Sequence, residues 1–167
     1  MIRTILAAAA LALSGCATIP PPKTAPAAVQ ADVEAYAAPD RELMVPVEGG
    51  NVYVRVNGDL DAAPPVVFLH GGPGGAHNSL ASMLGLADER AVILYDQLDS
   101  GKSDRPNDPA NWRVERFVEE LEAIRSAVGA EKLHLVGHSW GSAIALEYSS
   151  HLARPLTSIG LSFHCFN

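Results

Sequence analysis

The stretch Leu133–Gly141, Leu-His-Leu-Val-Gly-His-Ser-Trp-Gly, decides the fold of this 167-residue chain. It begins as a short, mostly apolar run typical of a buried strand. It ends in the pentapeptide Gly137-His138-Ser139-Trp140-Gly141. A Gly-x-Ser-x-Gly sequence between a buried strand and a helix forms a sharp turn that exposes the serine hydroxyl at the end of a sheet. We therefore expect a strand over Leu133–Val136, Ser139 at the turn, and a helix from Ser139 to about Ser150.

Strand-like and helix-like segments alternate upstream of this turn. Residues 42–48 and 51–57 flank Gly49-Gly50 and predict a half-exposed antiparallel hairpin. Three further strands are predicted from apolar runs at 65–69, 91–95 and 156–163, and helices are predicted at about 78–88 and 114–128. Gly129 is expected to end the second of these helices. The alternation predicts the α/β class, with a mostly parallel sheet and helices on both faces.

Composition excludes some classes of protein. The hydrophobic content of 48% is enough to bury a core, so a globally disordered chain is not expected. The formal net charge of −7 argues against a nucleic-acid partner, which requires a clustered basic surface. The two cysteines, Cys16 and Cys165, do not indicate a disulfide framework.

The first residues are predicted to lie outside the fold. Residues 1–15 combine Arg3 with a short apolar segment, as in a signal peptide. Leu13-Ser14-Gly15-Cys16 resembles the lipobox of bacterial lipoproteins, which implies cleavage before Cys16 and its acylation. The resemblance implies a chain anchored to the membrane of the bacterial cell envelope, at the outer membrane facing the periplasm. An ordinary secretory signal with an incidental cysteine is the alternative.

Residues 16–41 are rich in alanine and proline, which predicts an extended tether. The globular part is expected to begin at residue 42 and to extend to residue 167.

A glycine-rich loop, His70-Gly71-Gly72-Pro73-Gly74-Gly75, follows the strand predicted at 65–69. Glycines allow backbone N–H groups to turn toward a developing negative charge without steric obstruction. A phosphate-binding loop is disfavoured because the Gly-x-x-x-x-Gly-Lys-Ser/Thr pattern is absent from the sequence. His70 is expected to brace the loop rather than to act as a general base.

Three motifs together resemble the proline iminopeptidases and related α/β-hydrolases over about residues 42–162. They are the glycine-rich loop, Tyr95-Asp96-Gln97 with Gly101 and Ser103, and the Gly137–Gly141 pentapeptide. The resemblance implies an α/β-hydrolase fold, Ser139 as nucleophile, and the N–H groups of Gly72 and Trp140 as oxyanion hole. It also implies hydrolysis of a small peptide or ester substrate, often after an N-terminal proline, without a metal ion or other cofactor. The family usually has glycine where this chain has Asp99, a residue that tolerates a left-handed backbone.

The acid and base that would complete a catalytic triad are not found by this reasoning. In such folds they follow the serine in the chain, and here only Glu147, His151 and His164 do so. None is expected to serve, because the first two lie on the helix that leaves Ser139 and the third lacks an acid partner. We therefore expect an N-terminal part of the fold, without its C-terminal strands and cap, and no aminopeptidase turnover.

Two alternatives stay open. The first is a serine hydrolase of iminopeptidase type, and among hydrolases an esterase or lactonase is the second choice. The other is a non-catalytic lipoprotein that retains the scaffold for binding. A serine-directed probe would distinguish a reactive Ser139 from an inert one.

Overall fold

The computed structural model describes residues 38–150 and 156–162, which form a six-stranded sheet with two α-helices and two 3-10 segments. The strands are β1 (Arg41–Val47), β2 (Gly50–Asn57), β3 (Val66–Leu69), β4 (Val92–Tyr95), β5 (Leu133–His138) and β6 (Leu156–Ser162). The helices are α1 (Val114–Ala127) and α2 (Trp140–Ser150), and the 3-10 segments span His77–Leu86 and Pro109–Asn111.

The strands are arranged in the order β1-β2-β4-β3-β5-β6. β1 pairs with β2 and β2 with β4 in antiparallel fashion, whereas β4, β3, β5 and β6 run parallel. The sequence-based prediction of a hairpin followed by a mostly parallel sheet is therefore confirmed. Parallel neighbours require crossover connections, and α1 and α2 provide two of them.

One face of the sheet, which we call the α face, packs against α1 and α2. Its core joins twenty buried residues, among them Leu69 of β3, Tyr95 of β4, Leu121 of α1 and Tyr148 of α2. Phe117, Leu121 and Ile124 lie three or four positions apart, so α1 directs a single apolar stripe toward the sheet.

The opposite face, which we call the 3-10 face, has a smaller core of five buried residues: Val66, Phe68, Leu84, Val92 and Leu94. It is covered by the 3-10 segment His77–Leu86, where the sequence predicted a helix over about 78–88. The predicted helix is thus present as a 3-10 helix, and helices cover both faces of the sheet, as expected. The segment contains Gly85, which weakens an α-helix, and its N-terminus has no side-chain cap.

The end of α1 follows the sequence-based prediction. Gly129 has a φ of 75°, and its N–H donates to the carbonyl of Ser126 at 3.1 Å. The N–H of Ala130 donates to the carbonyl of Arg125 at 3.0 Å. This pair of bonds satisfies helix carbonyls, and glycine accommodates the left-handed residue it requires.

Several predictions concern residues outside the described ranges. They include the signal peptide, the lipidation site Cys16, nearly all of the tether, His151, His164 and Cys165. Within the part of the chain that the structure describes, no helix has the length and apolarity needed to cross a membrane.

Candidate active site

Ser139 occupies a sharp turn between β5 and α2. Its φ is 52°, in the left-handed region that a residue with a side chain rarely adopts. Its N–H donates to the carbonyl of Ser162 in β6 at 2.8 Å, and its carbonyl accepts from the N–H of Ser142 at 2.9 Å. These bonds hold the strained serine between a strand end and the first turn of a helix, as the pentapeptide predicted.

The two glycines of the pentapeptide allow this strand and helix to approach closely. A Cβ added to Gly137 would lie 2.4 Å from the carbonyl oxygen of Gly141. A Cβ added to Gly141 would lie 2.2 Å from the carbonyl oxygen of Leu69 on β3. Both contacts involve backbone atoms, which cannot move aside as a flexible side chain can. Glycine is therefore required at both positions.

A cavity of about 550 Å³ opens beside Ser139. Its lining consists of Gly71, Gly72, Gly75, Ser79, Leu80, His138 and Ser139. The volume lies within the range of small-molecule sites, roughly 300–1,000 Å³. The lining contains no acidic side chain, lysine or arginine.

The glycine-rich loop forms the opposite wall of this cavity. A Cβ on Gly71 would lie 3.0 Å from the Cβ of Ser139, so the loop passes directly against the serine. Gly72 lies next in the loop with a φ of 128°. Trp140 is the first residue of α2, and the first N–H groups of a helix have no partner inside it. Both predicted oxyanion donors are thus brought to the surroundings of Ser139.

His70 is fully buried and braces the loop. The N–H of Gln97 donates to its Nε2 at 3.1 Å, which places the ring proton on Nδ1. That nitrogen lies 2.9 Å from the carbonyl oxygen of Gly71 and donates to it. Burial lowers the pKa of His70, so the ring is held neutral. The contacts agree with the sequence-based interpretation of a structural histidine.

Asp99 adopts the left-handed conformation that its position demands. Its φ is 68°, and its carboxylate accepts from the N–H of Asn107 at 2.8 Å. Its own N–H donates to the carbonyl of Asp104 at 2.9 Å. The turn forms with aspartate where the resembling family usually has glycine.

Within residues 38–150 and 156–162, the hydroxyl of Ser139 has no hydrogen-bonded histidine or carboxylate. Glu147 lies on α2, which leads away from the turn. The same residues contain no group of three or more histidine, cysteine or acidic side chains able to hold a metal ion.

A buried ion pair on α1 was missed by sequence reasoning. Nη1 of Arg116 donates to Oε2 of Glu120 at 2.6 Å, and its Nε donates to the carbonyl of Asn111, also at 2.6 Å. Burial raises the pKa of Glu120 to about 7, although Arg116 opposes the shift. The i,i+4 spacing was the only sequence signal, and it indicates a solvated pair as readily as a buried one.

Comparison with known proteins agrees with this geometry. The family model described as "alpha/beta hydrolase fold" matches residues 64–159. A proline iminopeptidase of Heyndrickxia coagulans is 43% identical over 126 residues, which cover 75% of this chain and 44% of that protein. The chain therefore spans less than half the length of this relative.

Two solved structures show the same relation. The proline iminopeptidase of Mycobacterium smegmatis superposes with a TM-score of 0.64 and 38% identity, over 71% of this chain and 42% of that one. VinJ superposes with a TM-score of 0.70 and 32% identity, over 74% of this chain and 44% of that one. From the matched residues, the sheet order and the turn at Ser139, we conclude that this chain belongs to the α/β-hydrolase fold family.

Proposed function

We propose that the chain carries the nucleophile and oxyanion hole of a serine hydrolase of the proline iminopeptidase type. The observation that carries the proposal is the left-handed Ser139 facing the glycine-rich loop across a cavity of about 550 Å³. Similarity to proline iminopeptidases at 43% identity supports the reaction class.

Each group has a defined part in the proposed reaction. Ser139 Oγ attacks the scissile carbonyl, and the N–H groups of Gly72 and Trp140 donate to the resulting oxyanion. Collapse of this intermediate breaks the carbon–nitrogen bond, and the amine leaves with the proton that a general base took from the serine. Water then cleaves the acyl-serine and restores the hydroxyl. In the resembling family the base and its aspartate follow later in the chain.

The proposed substrate is a small peptide with a free N-terminal residue, often proline. The lining beside Ser139 consists of glycines, serines, a leucine and a histidine, so an ester or lactone would fit there equally well. An esterase activity is therefore the second proposal.

A fluorophosphonate probe tests the nucleophile. The serine oxygen bonds to phosphorus and fluoride leaves, so a labelled chain gains the phosphonyl group at a residue that mass spectrometry identifies. We expect labelling at Ser139 that is lost in Ser139→Ala and retained in Ser142→Ala. Labelling that persists in Ser139→Ala would refute the assignment of the nucleophile, and a wild-type chain that is not labelled would favour a non-catalytic scaffold.

Substrate class is tested by comparing proline 4-nitroanilide with short acyl 4-nitrophenyl esters on the same chain. Anilide cleavage abolished by Ser139→Ala supports the peptidase and overturns the expectation of no turnover. Ester cleavage alone, again abolished by this substitution, supports the esterase.

We also propose a lipid anchor at Cys16 in the bacterial cell envelope. The basis is the sequence Leu13-Ser14-Gly15-Cys16 described above. Radiolabelled palmitate should be incorporated when the gene is expressed in a Gram-negative host, and the membrane fraction should hold the product. Cys16→Ser should abolish incorporation, while Cys165→Ser should leave it unchanged; incorporation into Cys16→Ser would exclude this anchor.

A further inference from the structure

The Tyr95–Ser103 motif has no part in the proposed chemistry, although it is one of the three motifs by which the sequence resembles the proline iminopeptidases. In the structure its residues Asp96 and Gln97 lie at the end of β4 and face the glycine-rich loop. His70 is the first residue of this loop, and His77 lies two residues after its last glycine, Gly75. His70 is hydrogen-bonded to Gln97, and His77 is hydrogen-bonded to Asp96.

The first attachment joins His70 to Gln97. Besides the N–H bond to His70 Nε2, the side-chain amide of Gln97 donates to the carbonyl of His70 at 3.0 Å. Ser100 extends the contact, because its hydroxyl lies 3.3 Å from the same ring nitrogen. All three residues are buried, so water does not compete for these bonds.

The second attachment joins His77 to Asp96. The N–H of His77 donates to Asp96 Oδ1 at 2.6 Å, and its ring Nδ1 lies 2.9 Å from both carboxylate oxygens. Because an ionised carboxylate only accepts hydrogen bonds, Nδ1 carries the ring proton. Burial raises the pKa of Asp96, but bonds from the His77 side chain and the Lys102 and His77 N–H groups outweigh it and lower that pKa.

Asp96 is itself held in place from the other side. The N–H of Lys102 donates to Oδ2 at 2.8 Å, and the hydroxyl of Ser103 donates to the Asp96 carbonyl at 2.5 Å. A Cβ on Gly101 would lie 2.1 Å from the Asp96 carboxylate. The motif glycine is therefore required for the carboxylate to occupy this position, which accounts for the motif's spacing.

We propose that Asp96 is a positioning residue for the glycine-rich loop. It acts through His77, while Gln97 holds the other end of the loop through His70. The loop segment Gly71–Gly75 is thus fixed at both ends against Ser139. The inference rests on the proposed function for its catalytic consequence, but the attachment of the loop can be measured without any reaction.

The first measurement is hydrogen exchange of the loop amides by mass spectrometry on the full chain. His77→Ala removes the ring donor, whereas His77→Asn places an amide donor near the Nδ1 position. We expect the 71–75 amides to exchange about tenfold faster or more in His77→Ala and Asp96→Asn. They should stay within about threefold of wild type in His77→Asn and in the exposed control Asp88→Asn.

The second measurement separates binding of the fluorophosphonate from its reaction with Ser139. A misplaced oxyanion donor lowers the maximal labelling rate about tenfold or more, with little effect on the half-saturating concentration. His77→Asn should restore the rate. Ile124→Ala, a core variant of α1, should lower stability while leaving the rate near wild type.

The outcomes separate the two proposals. Unchanged exchange in both His77→Ala and Asp96→Asn overturns the positioning role, whatever the labelling rates. If the loop amides exchange faster in His77→Ala and Asp96→Asn but the wild-type chain is not labelled by the fluorophosphonate, the attachment of the loop is supported and the proposed function is refuted. If Ile124→Ala lowers the maximal labelling rate as much as His77→Ala does, the effect is one of general destabilisation, and the positioning role is overturned. If Asp96→Asn does not fold, the comparison of His77→Ala with His77→Asn decides.

Discussion

The two faces of the sheet differ in how they are covered. The α face buries a core of twenty residues under two α-helices, whereas the 3-10 face buries five under a single 3-10 segment. Strand residues that alternate between the faces are nevertheless equally apolar, as in Val66-Val67-Phe68-Leu69. The strands therefore do not determine the difference. The helices on each side do.

The site lies at the end of β5, between residues of α2 on one face of the sheet and of the 3-10 segment on the other. Ser139 is fixed by α2 and β6, while the cavity beside it is lined by Ser79 and Leu80 of the 3-10 segment. One wall thus belongs to a densely packed layer and the other to a thinly packed one. Local opening is expected where buried apolar contacts are few, so Ser139 should be held more firmly than the 3-10 segment that contributes Ser79 and Leu80 to the cavity.

The largest contrast is expected between two glycines. Gly141→Ala places a methyl 2.2 Å from the Leu69 carbonyl oxygen, whereas nothing lies within 4 Å of a Cβ added to Gly85. Gly141→Ala should lower the free energy of unfolding by more than about 4 kcal/mol, or prevent folding. Gly85→Ala should change it by less than about 1 kcal/mol. Urea unfolding measures both, and equal values would contradict the packing described at the turn.

Truncation of core leucines compares the faces directly. Leu121 of α1 is completely buried in the α face, while Leu84 is 6% exposed in the smaller core of the 3-10 face. Leu121→Ala should destabilise the protein by about 3–4 kcal/mol and Leu84→Ala by about 1–2 kcal/mol, because fewer neighbours lose contacts. The same urea titration, followed by far-UV circular dichroism, gives both values. A larger loss for Leu84→Ala would reverse the comparison.

The buried pair of Arg116 and Glu120 on α1 predicts that the stability of the protein depends on pH. Burial raises the pKa of Glu120 from 4.5 to about 7, so the folded state retains a proton that the unfolded state releases. Its contribution to stability is present below pH 4.5 and is lost as the pH rises to about 7. The loss is on the order of 3 kcal/mol, since one pKa unit corresponds to roughly 1.4 kcal/mol.

Glu120→Gln removes this titration. The free energy of unfolding of wild type minus that of the variant should therefore fall between pH 4.5 and about 7. Urea midpoints at several pH values test it, and parallel profiles for the two proteins would refute a raised pKa. Glu119→Gln, an exposed neighbour, is the matched control and should follow wild type.

The smallest effect is expected on the outside of the 3-10 face. Met83 is 36% exposed, so Met83→Ser should change the free energy of unfolding by less than about 0.5 kcal/mol. A shift above about 1 kcal/mol would show that this surface contributes more packing than its exposure indicates. Thermal unfolding resolves a change of that size.

Much of the fold could be predicted because local pattern and tertiary environment agree. The apolar run Val92–Tyr95 is buried on both sides of the sheet, and α1 is amphipathic over its whole length. The segment 77–86 was predicted less well, since its apolar positions fit either type of helix. Its Leu84 shares a core with Phe68 and Leu94, and spacing along the chain does not reveal these contacts.

The site was predictable where backbone geometry requires a particular residue. Gly137, Gly141 and the left-handed Ser139 follow from one short motif. The bond between Asp96 and His77 was not foreseen, because nineteen positions separate the two residues. Only the fold brings them together, and the motif that contains Asp96 carried no indication of its partner.

The bond between the Ser139 N–H and the Ser162 carbonyl has a practical consequence. It joins the residue proposed to react to β6, the last strand in the described sheet order. The exchange rate of this single amide proton therefore reports how firmly β6 is attached to the sheet. Any ligand, partner or substitution that loosens this strand would be registered at the serine itself, before the remainder of the molecule unfolds.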